Sequence, residues 1–250
     1  LFLGALFLWI FWPSFNGGAA SPADARQRAV CNTYLSLCAC TVTTFIFSQA
    51  VDRHKKFDMV HIANSTLAGG VAIGTIANVV LEPLHALIIG VLAGGLSVVG
   101  YKYITPFLNN KFGAHDTCGV NNLHGMPGVL AGLISAILVV VYDPALYGKS
   151  LNAIYPAMQS ESNPAGITAA SQAINQLVGL GLVLVSALLS GLATGLILRM
   201  KVFNQVREKE FYADGDYFET PADYDFNTRI VSRIDRVEIN EHTQLTQKEV

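Results

Sequence analysis

Charged residues are scarce in this 250-residue chain: Asp, Glu, Lys and Arg together make up 14% of it, whereas hydrophobic residues make up 52%. Soluble domains carry about 25% charged residues, so this composition argues against an ordinary soluble domain. The formal net charge is −2 and the isoelectric point about 6.3. Because nucleic-acid-binding surfaces are basic, these values argue against such a surface. The composition favours a membrane protein.

Motifs of hydrolases and metal sites are also missing. The sequence has no HExxH pattern and no GxSxG pattern, which are typical of zinc proteases and serine hydrolases. Cys31, Cys38, Cys40 and Cys118 show neither CxxC spacing nor a metal spacing with His. We interpret these cysteines as reduced, buried small hydrophobes. No cofactor or metal is expected, and an intramembrane hydrolase or metalloenzyme is the weakest candidate class.

Long apolar stretches are what the chain has in abundance. A helix needs about 20 mostly apolar residues to cross a bilayer, and six stretches qualify: 1–15, 27–50, 58–80, 83–104, 118–141 and 174–200. The sequence therefore predicts an all-α polytopic membrane protein. It begins without Met inside a hydrophobic segment, so we predict a fragment whose first span is truncated. A signal peptide is the competing interpretation, but the basic leading region of such peptides is missing.

Two further patterns concern the packing and the orientation of these spans. Glycines recur four residues apart in four spans, and such pairs let helices approach closely: Gly70 and Gly74, Gly90 and Gly94, Gly128 and Gly132, Gly191 and Gly195. The side richer in basic residues is predicted to be cytoplasmic; it contains Arg53, Lys55, Lys56, Lys102, Lys111, Arg199 and Lys201, against Arg26, Arg28 and Lys149 on the other.

The sequence divides into a partial transmembrane domain, 1–201, and a polar tail, 202–250. We predict that the tail is cytoplasmic and largely disordered, because it is acidic and contains no further span. Phe211, Tyr212 and Tyr217 in this tail are candidates for binding a cytoskeletal adaptor or a kinase. A solvated tail with incidental tyrosines is the alternative.

His124 is the ionisable side chain placed deepest in a hydrophobic stretch. It lies within residues 118–128, CGVNNLHGMPG, which lead directly into the apolar stretch 129–141. Such a placement is unfavourable in a membrane and marks a functional site. A neutral imidazole has one donor and one acceptor nitrogen, so it can hold a small polar solute or accept a proton. A structural histidine bonded to a neighbouring helix is the alternative.

The residues around His124 are expected to support its helix. Pro127 removes a backbone donor and frees the carbonyl of Leu123, one turn back, which then needs another partner. Small glycines keep the opposing surface narrow. We assign this support to four residues: Asn121, Asn122, Gly125 and Pro127.

Aromatic residues close the first span. Trp12 and Phe15 are about one helical turn apart, so both side chains can face one opening. The face of an aromatic ring attracts a small cation, which makes Phe15 a candidate roof for a pore mouth and Trp12 part of an outer vestibule. Anchoring at the membrane interface, the usual role of Trp, is the alternative.

Asp58, His61 and Asn64 are spaced three residues apart, so they share one face of a helix. They are candidates for an inner vestibule, where a carboxylate collects cations or relays protons. The alternative for Asp58 is a cap at the start of the helix, and the two roles are compatible.

Several of these motifs together resemble the Rhesus (Rh) glycoproteins of the ammonium transporter superfamily. The resemblance extends over residues 1 to about 200 and rests on FLW at 7–9, WPSFN at 12–16, FDMVHI at 57–62, TLAGGVA at 66–72, TPFL at 105–108 and DTCGVNNLHGMPG at 116–128. It implies a homotrimer in which each subunit has about twelve helices and its own ammonia pore. This chain then matches the second half, with about six helices.

The resemblance also implies roles for particular residues. His124 matches the second of two histidines that line the pore, and Phe15 matches one of two stacked phenylalanines at the outer mouth; both partners are expected in the missing half. The implied function is transport of ammonia or ammonium by a protein that is not an enzyme, in the plasma membrane. A non-conducting relative linked to the cytoskeleton and a CO2-permeable gas channel are the alternatives, and the presence of His124 and Phe15 favours transport.

Overall fold

A computed structural model describes residues 2–158, 160, 163–203 and 205, and these residues are mostly helical. The predicted all-α fold is confirmed. The α-helices are α1 Phe2–Gly18, α2 Ala23–Val51, α3 Met59–Asn64, α4 Ala68–Gly74, α5 Pro83–Val99, α6 Thr105–Phe112, α7 Met126–Val141, α8 Leu151–Ile154 and α9 Ala169–Leu198. Tighter 3₁₀ turns occupy Ser65–Leu67 and Pro144–Ser150, and wider π-turns occupy Gly100–Ile104 and Asn121–Gly125.

The chain divides into two compact units, Leu1–Ala187 and Leu188–Val250. In the second unit, the side-chain amide of Gln205 donates to the carbonyls of Leu198, Met200 and Phe203 just after the end of α9. The predicted domain boundary at residue 201 falls within this unit and stays a prediction. The tail residues Phe211, Tyr212 and Tyr217 lie outside the described residues.

Four of the described helical segments are long and apolar enough to cross a membrane: Ala23–Val51, Pro83–Phe112, Asn121–Val141 and Ala169–Leu198. The first predicted span is α1, which has 17 residues and continues through Pro13 to Gly18. The sequence predicted a span that ends at about residue 15, and the helix ends at Gly18. Near Pro13, the hydroxyls of Tyr34 and Ser14 donate to the carbonyls of Ile10 and Phe11, respectively.

The second helix has its polar face toward the protein and its apolar face outward. Its buried side chains include Asn32, Thr33, Ser36, Thr43, Thr44 and Ser48. Val42 and Ile46, which are 61% and 60% exposed, lie on the outer face. This arrangement suits a lipid environment, where apolar side chains are favoured outside and polar side chains are satisfied by other helices.

The third predicted span, 58–80, is broken instead of forming one helix. It consists of α3, the 3₁₀ turn Ser65–Leu67, α4 and a series of turns after Gly74. Backbone groups that leave the regular helix pattern inside a membrane need partners from the protein. In α2, the Cys40 thiol donates to the carbonyl of Ser65 (3.0 Å) and the Ser36 hydroxyl donates to the carbonyl of Gly69 (2.8 Å).

The turns that follow α4 have partners of the same kind. The Asn32 amide donates to the carbonyls of both Ala77 (2.8 Å) and Val80 (2.7 Å), and Arg28 Nε donates to the carbonyl of Asn78 (2.8 Å). The polar side chains of α2 therefore hold the broken span in place.

Glycines allow α2, α4 and α5 to pack closely. A Cβ atom at Gly94 would lie 2.7 Å from the carbonyl oxygen of Cys40, and one at Gly90 would meet the backbone of Ser36. A Cβ atom at Gly132 would meet the end of the Leu180 side chain, whereas a Cβ at Gly128, Gly191 or Gly195 would have no neighbour within 4 Å among the described residues. The predicted close approach is confirmed for Gly90 and Gly94, and stays a prediction for the Gly191 pair.

The cysteines differ from the expectation that all four are buried. Cys40 is buried, but Cys31, Cys38 and Cys118 are exposed in this chain. Cys31 and Cys38 lie on the outer side of α2, opposite the polar face that packs against the other helices. Cys118 lies in the turn before the second π-turn. The prediction was wrong for these three because an apolar neighbourhood in the sequence does not reveal which helix face a side chain occupies.

The loop between α7 and α9 is fixed by tyrosines. The Tyr147 hydroxyl donates to the carbonyl of Val79 (2.9 Å) and the Ser150 hydroxyl donates to the carboxylate of Asp24 (2.7 Å). The Tyr155 ring lies edge-on to that of Tyr147, with centroids 6.1 Å apart. Burial raises the pKa of Tyr155 to about 12, so this phenol stays neutral at physiological pH.

We expect Gly90→Ala to destabilise the chain because the added methyl group forces α5 away from α2. Overpacking of this kind costs about 1–3 kcal/mol. Thermal unfolding in detergent, followed by circular dichroism, should show a lower midpoint. Gly179→Ala is the matched control: a Cβ there has no neighbour within 4 Å, so its midpoint should stay the same or rise. Equal midpoints for both variants would contradict the close α2–α5 contact.

Candidate functional site

An apolar groove of about 870 Å³ runs along α1 and is the candidate site. It is lined by Leu8, Phe11, Trp12, Phe15, Asn16, Ala19, Gly70, Val71, Gly74, Thr75, His124 and Gly128. The residues predicted for the pore and for the outer vestibule, His124, Phe15 and Trp12, therefore line one cavity. Aromatic and aliphatic side chains dominate, and the His124 imidazole is the only ionisable side chain of the lining.

Trp12 connects the two predicted pore residues. Its ring lies edge-on to that of Phe15, with centroids 6.5 Å apart, and stacks on the imidazole of His124, with centroids 6.3 Å apart and planes 21° apart. Gly70 in α4 makes room for the indole, since a Cβ there would lie 2.8 Å from the Trp12 ring. A row of rings thus leads from Phe15 to His124.

Asn16 fixes the side of the groove that α1 forms. Its side-chain amide donates both to the Thr33 hydroxyl of α2 and to the carbonyl of Gly70 in α4, each at 3.1 Å. These two bonds tie α1 to both neighbouring helices at the level of Phe15. Sequence reasoning missed this role because the partners of Asn16, Thr33 and Gly70, are 17 and 54 residues away in the chain.

His124 lies in the π-turn Asn121–Gly125, where the N–H of Met126 bonds the carbonyl of Asn121. A π-turn inserts one residue into a helical turn. It moves the helix away from the clash between the Pro127 ring and the carbonyl one turn back, which a regular helix would produce. The sequence predicted a disturbed backbone before Pro127, but not a π-turn. His124 is exposed on the groove side in this chain.

The four residues predicted to support this helix occupy distinct places. Asn122 is completely buried and Pro127 is buried. Asn121 and Gly125 line a second, smaller apolar cavity with Met126 and Leu130. None of the four lines the groove itself.

None of the three inner-vestibule candidates, Asp58, His61 and Asn64, lines the groove. The Asp58 carboxylate accepts the backbone N–H groups of Val60 (2.7 Å) and His61 (3.4 Å), so Asp58 caps α3. The buried His61 Nδ1 lies 3.1 Å from the Ser48 hydroxyl, and the Asn64 amide donates to the carbonyl of Val60. Asp58 and His61 are therefore in contact through the backbone N–H of His61, whereas the Asn64 amide bonds a carbonyl of its own helix, α3.

A comparison with known families identifies the family of this chain. Residues 1–214 match the model of the Ammonium Transporter Family. The chain belongs to this family. Its resemblance to Rh proteins is also confirmed, because it is 44% identical over 220 residues to ammonium transporter Rh type B of Xenopus tropicalis and 42% identical over 219 residues to Rh type C of Pan troglodytes. This is a family of transporters and not of enzymes.

The matches cover 88% of this chain but only 47% and 45% of those two relatives, so this member of the family spans about half their length. A solved structure of Nitrosomonas europaea Rh50, described as a Rhesus-family channel, is 35% identical with a TM-score of 0.65 and is covered to 54%. A sensor Amt protein is 24% identical with a TM-score of 0.62 over 83% of this chain. That second likeness supports the fold alone.

We expect Gly70→Ala to displace the Trp12 indole from the His124 imidazole, because the new methyl group would overlap the indole ring. In a Trp9→Phe background Trp12 is the remaining tryptophan, so its emission maximum reports this contact directly. A shift to longer wavelength is expected as the ring moves toward solvent. Gly128→Ala is the matched control, since it also lines the groove but a Cβ there has no neighbour within 4 Å. A shift of equal size in both variants would argue against the Trp12–His124 stack.

Proposed function

We propose that this chain forms one wall of a pore through which ammonia or ammonium crosses a membrane. The observation that carries the proposal is the apolar groove in which Phe15, Trp12 and His124 follow one another. Membership of the ammonium transporter family supports the choice of substrate.

The lining favours passage of the neutral molecule. Moving an isolated charge from water into a medium of low dielectric constant costs tens of kcal/mol on a Born estimate, and the groove offers only one ionisable side chain to offset that cost. Neutral ammonia avoids most of it. The imidazole of His124 can both donate and accept a hydrogen bond, which suits a small molecule that does the same.

Each aromatic residue then has a role along the path. The faces of the Phe15 and Trp12 rings attract ammonium at the mouth through cation–π interactions, and Phe15 narrows the entrance. Ammonium gives its proton to water at the mouth, ammonia passes His124, and ammonia takes a proton from water in an inner vestibule near Asp58, His61 and Asn64. Asn121, Asn122, Gly125 and Pro127 support the helix that carries His124.

The groove needs a second wall for this role. Phe15 is 79% exposed and Phe11 is 52% exposed, although both line the groove. Burying these side chains against further helices would close the groove into a pore. We therefore propose a full subunit of about twelve helices, in which a second histidine and a second phenylalanine face His124 and Phe15, and three such subunits in a homotrimer.

The distribution of basic residues supports an orientation. Arg53, Lys55 and Lys56 lie in the loop between α2 and α3, and Lys102 and Lys111 follow α5. Short loops rich in Lys and Arg face the cytoplasm. We propose a multi-pass protein of the plasma membrane with a cytoplasmic C-terminus.

His124→Ala should reduce methylammonium and ammonia flux into proteoliposomes by about tenfold or more, equivalent to about 1.4 kcal/mol of transition-state stabilisation. The protein for this assay is a chimera in which residues 1–214 replace the matching part of the Xenopus Rh type B relative. Phe15→Trp should have a similar effect, because a larger ring obstructs the mouth.

The control for these variants is His54→Ala, in an exposed loop that does not line the groove. Its flux should equal that of the parent chimera. Undiminished flux in His124→Ala, with normal protein levels in the liposomes, would refute the role of His124.

The tail around Phe211, Tyr212 and Tyr217 is proposed as a site for a cytoskeletal adaptor or a kinase. Its sequence alternates aromatic and acidic residues, FYADGDYFE at 211–219. A peptide of residues 202–250, with and without phosphate on Tyr217, should retain a partner from membrane-skeleton extracts in a manner that depends on phosphate. A scrambled peptide of equal composition is the control, and equal retention by all three peptides would refute the proposal.

A further inference from the structure

Two π-turns face each other in this structure, and both come just before a proline. In the first π-turn, Gly100–Ile104, the N–H of Thr105 bonds the carbonyl of Gly100, and Pro106 follows. In the second π-turn, which is Asn121–Gly125, the N–H of Met126 bonds the carbonyl of Asn121, and Pro127 follows. π-Turns are rare and are frequently found at functional sites. The second π-turn contains His124, so its shape determines where the imidazole points.

A side-chain hydrogen bond joins the second π-turn to Thr105, the residue that follows the first π-turn. The Asn122 amide donates to the Thr105 hydroxyl at 2.7 Å. Asn122 is completely buried, and its Oδ1 has no hydrogen-bond partner in the described part of the chain. The bond to Thr105 is therefore the only directional restraint that the structure shows on this side chain, which is two residues before His124 on the same turn.

Close packing accompanies this bond. A Cβ atom at Gly100 would meet Met126 and the Asn122 side chain, and one at Gly119 would meet the ring of Tyr101. The Tyr101 hydroxyl also donates to the carbonyl of Gly119, two residues before the second π-turn, at 3.4 Å. The first π-turn thus packs against the second π-turn and against the residues just before it.

We infer that Thr105 is a positioning residue for His124: through its hydrogen bond to Asn122 it holds the second π-turn in the shape that presents the imidazole to the groove. Thr105 itself does not line the groove, so its hydroxyl acts only through Asn122 and His124. The inference rests on the proposed role of His124 in transport. The physical basis is that the backbone before Pro127 can adopt more than one conformation, of which the π-turn is one. The hydrogen bond from Asn122 to Thr105 favours the π-turn over the others.

The position of the imidazole can be measured without transport. Histidine-selective NMR of the ¹³C- and ¹⁵N-labelled chain in nanodiscs should show a His124 signal, assigned by its loss in His124→Gln. Thr105→Val removes the hydroxyl at nearly constant volume, and it should shift or broaden this signal while the His61 signal stays in place. Thr105→Ser restores the hydroxyl and should restore the signal. Thr43→Val is the matched control, the same exchange at a buried threonine of α2, and it should leave His124 unchanged.

The flux assay gives an independent test in the chimera. Thr105→Val should lower ammonia flux about tenfold. It should have no further effect in a His124→Ala background, because the effects of two substitutions are not additive when one residue acts through the other. An equal loss of flux in both backgrounds would overturn the inference. So would an unchanged His124 signal in Thr105→Val.

Folding is checked with a second variant. Thr105→Ala also removes the hydroxyl, without a branched side chain. If Thr105→Val and Thr105→Ala both fail to fold while Thr105→Ser folds, the bond serves stability alone and the positioning role is overturned. If His124→Ala leaves flux intact but Thr105→Val still shifts the His124 signal, the proposed function fails and the positioning role stands.

Discussion

The structure depends on how the backbone of the broken third span is satisfied inside the membrane. The backbone leaves the regular helical pattern in the 3₁₀ turn Ser65–Leu67 and in the turns after Gly74, and an unsatisfied carbonyl in hydrocarbon is strongly unfavourable. Side chains of α2 donate hydrogen bonds to these carbonyls, and the Asn32 amide donates to two of them, those of Ala77 and Val80. The polarity of α2 follows from the same requirement: its polar residues face the protein because their partners are there.

The groove follows from this arrangement. Because the third span is held against α2, Gly70 is positioned beneath Trp12, and the carbonyl of Gly70 accepts the amide of Asn16. The first helix is thereby fixed with Trp12 and Phe15 on the groove side. The π-turn before Pro127 brings His124 to the same row of rings. Three helices that are distant in sequence therefore meet at one apolar cavity.

Much of the fold and part of the site could be predicted from sequence, for identifiable reasons. Apolar runs of about 20 residues locate the spans, and one helical turn between Trp12 and Phe15 places both rings on one face.

The break in the third span could not be predicted, because it depends on partners in α2 rather than on local propensity. The exposure of Cys31 and Cys38 depends on which face of α2 turns outward. The π-turns were missed since proline indicates a disturbed helix but not its form, and Thr105 gave no signal because its partner Asn122 is 17 residues away.

The order of the elements along the chain has a consequence for membrane insertion. A ribosome releases α2 before the third span, so the amide of Asn32, the hydroxyl of Ser36 and the thiol of Cys40 are already in place when the irregular segment enters the bilayer. The partners that the broken span needs are therefore synthesised before it. A permuted chain in which α2 followed the third span would expose those carbonyl groups to lipid until synthesis was complete.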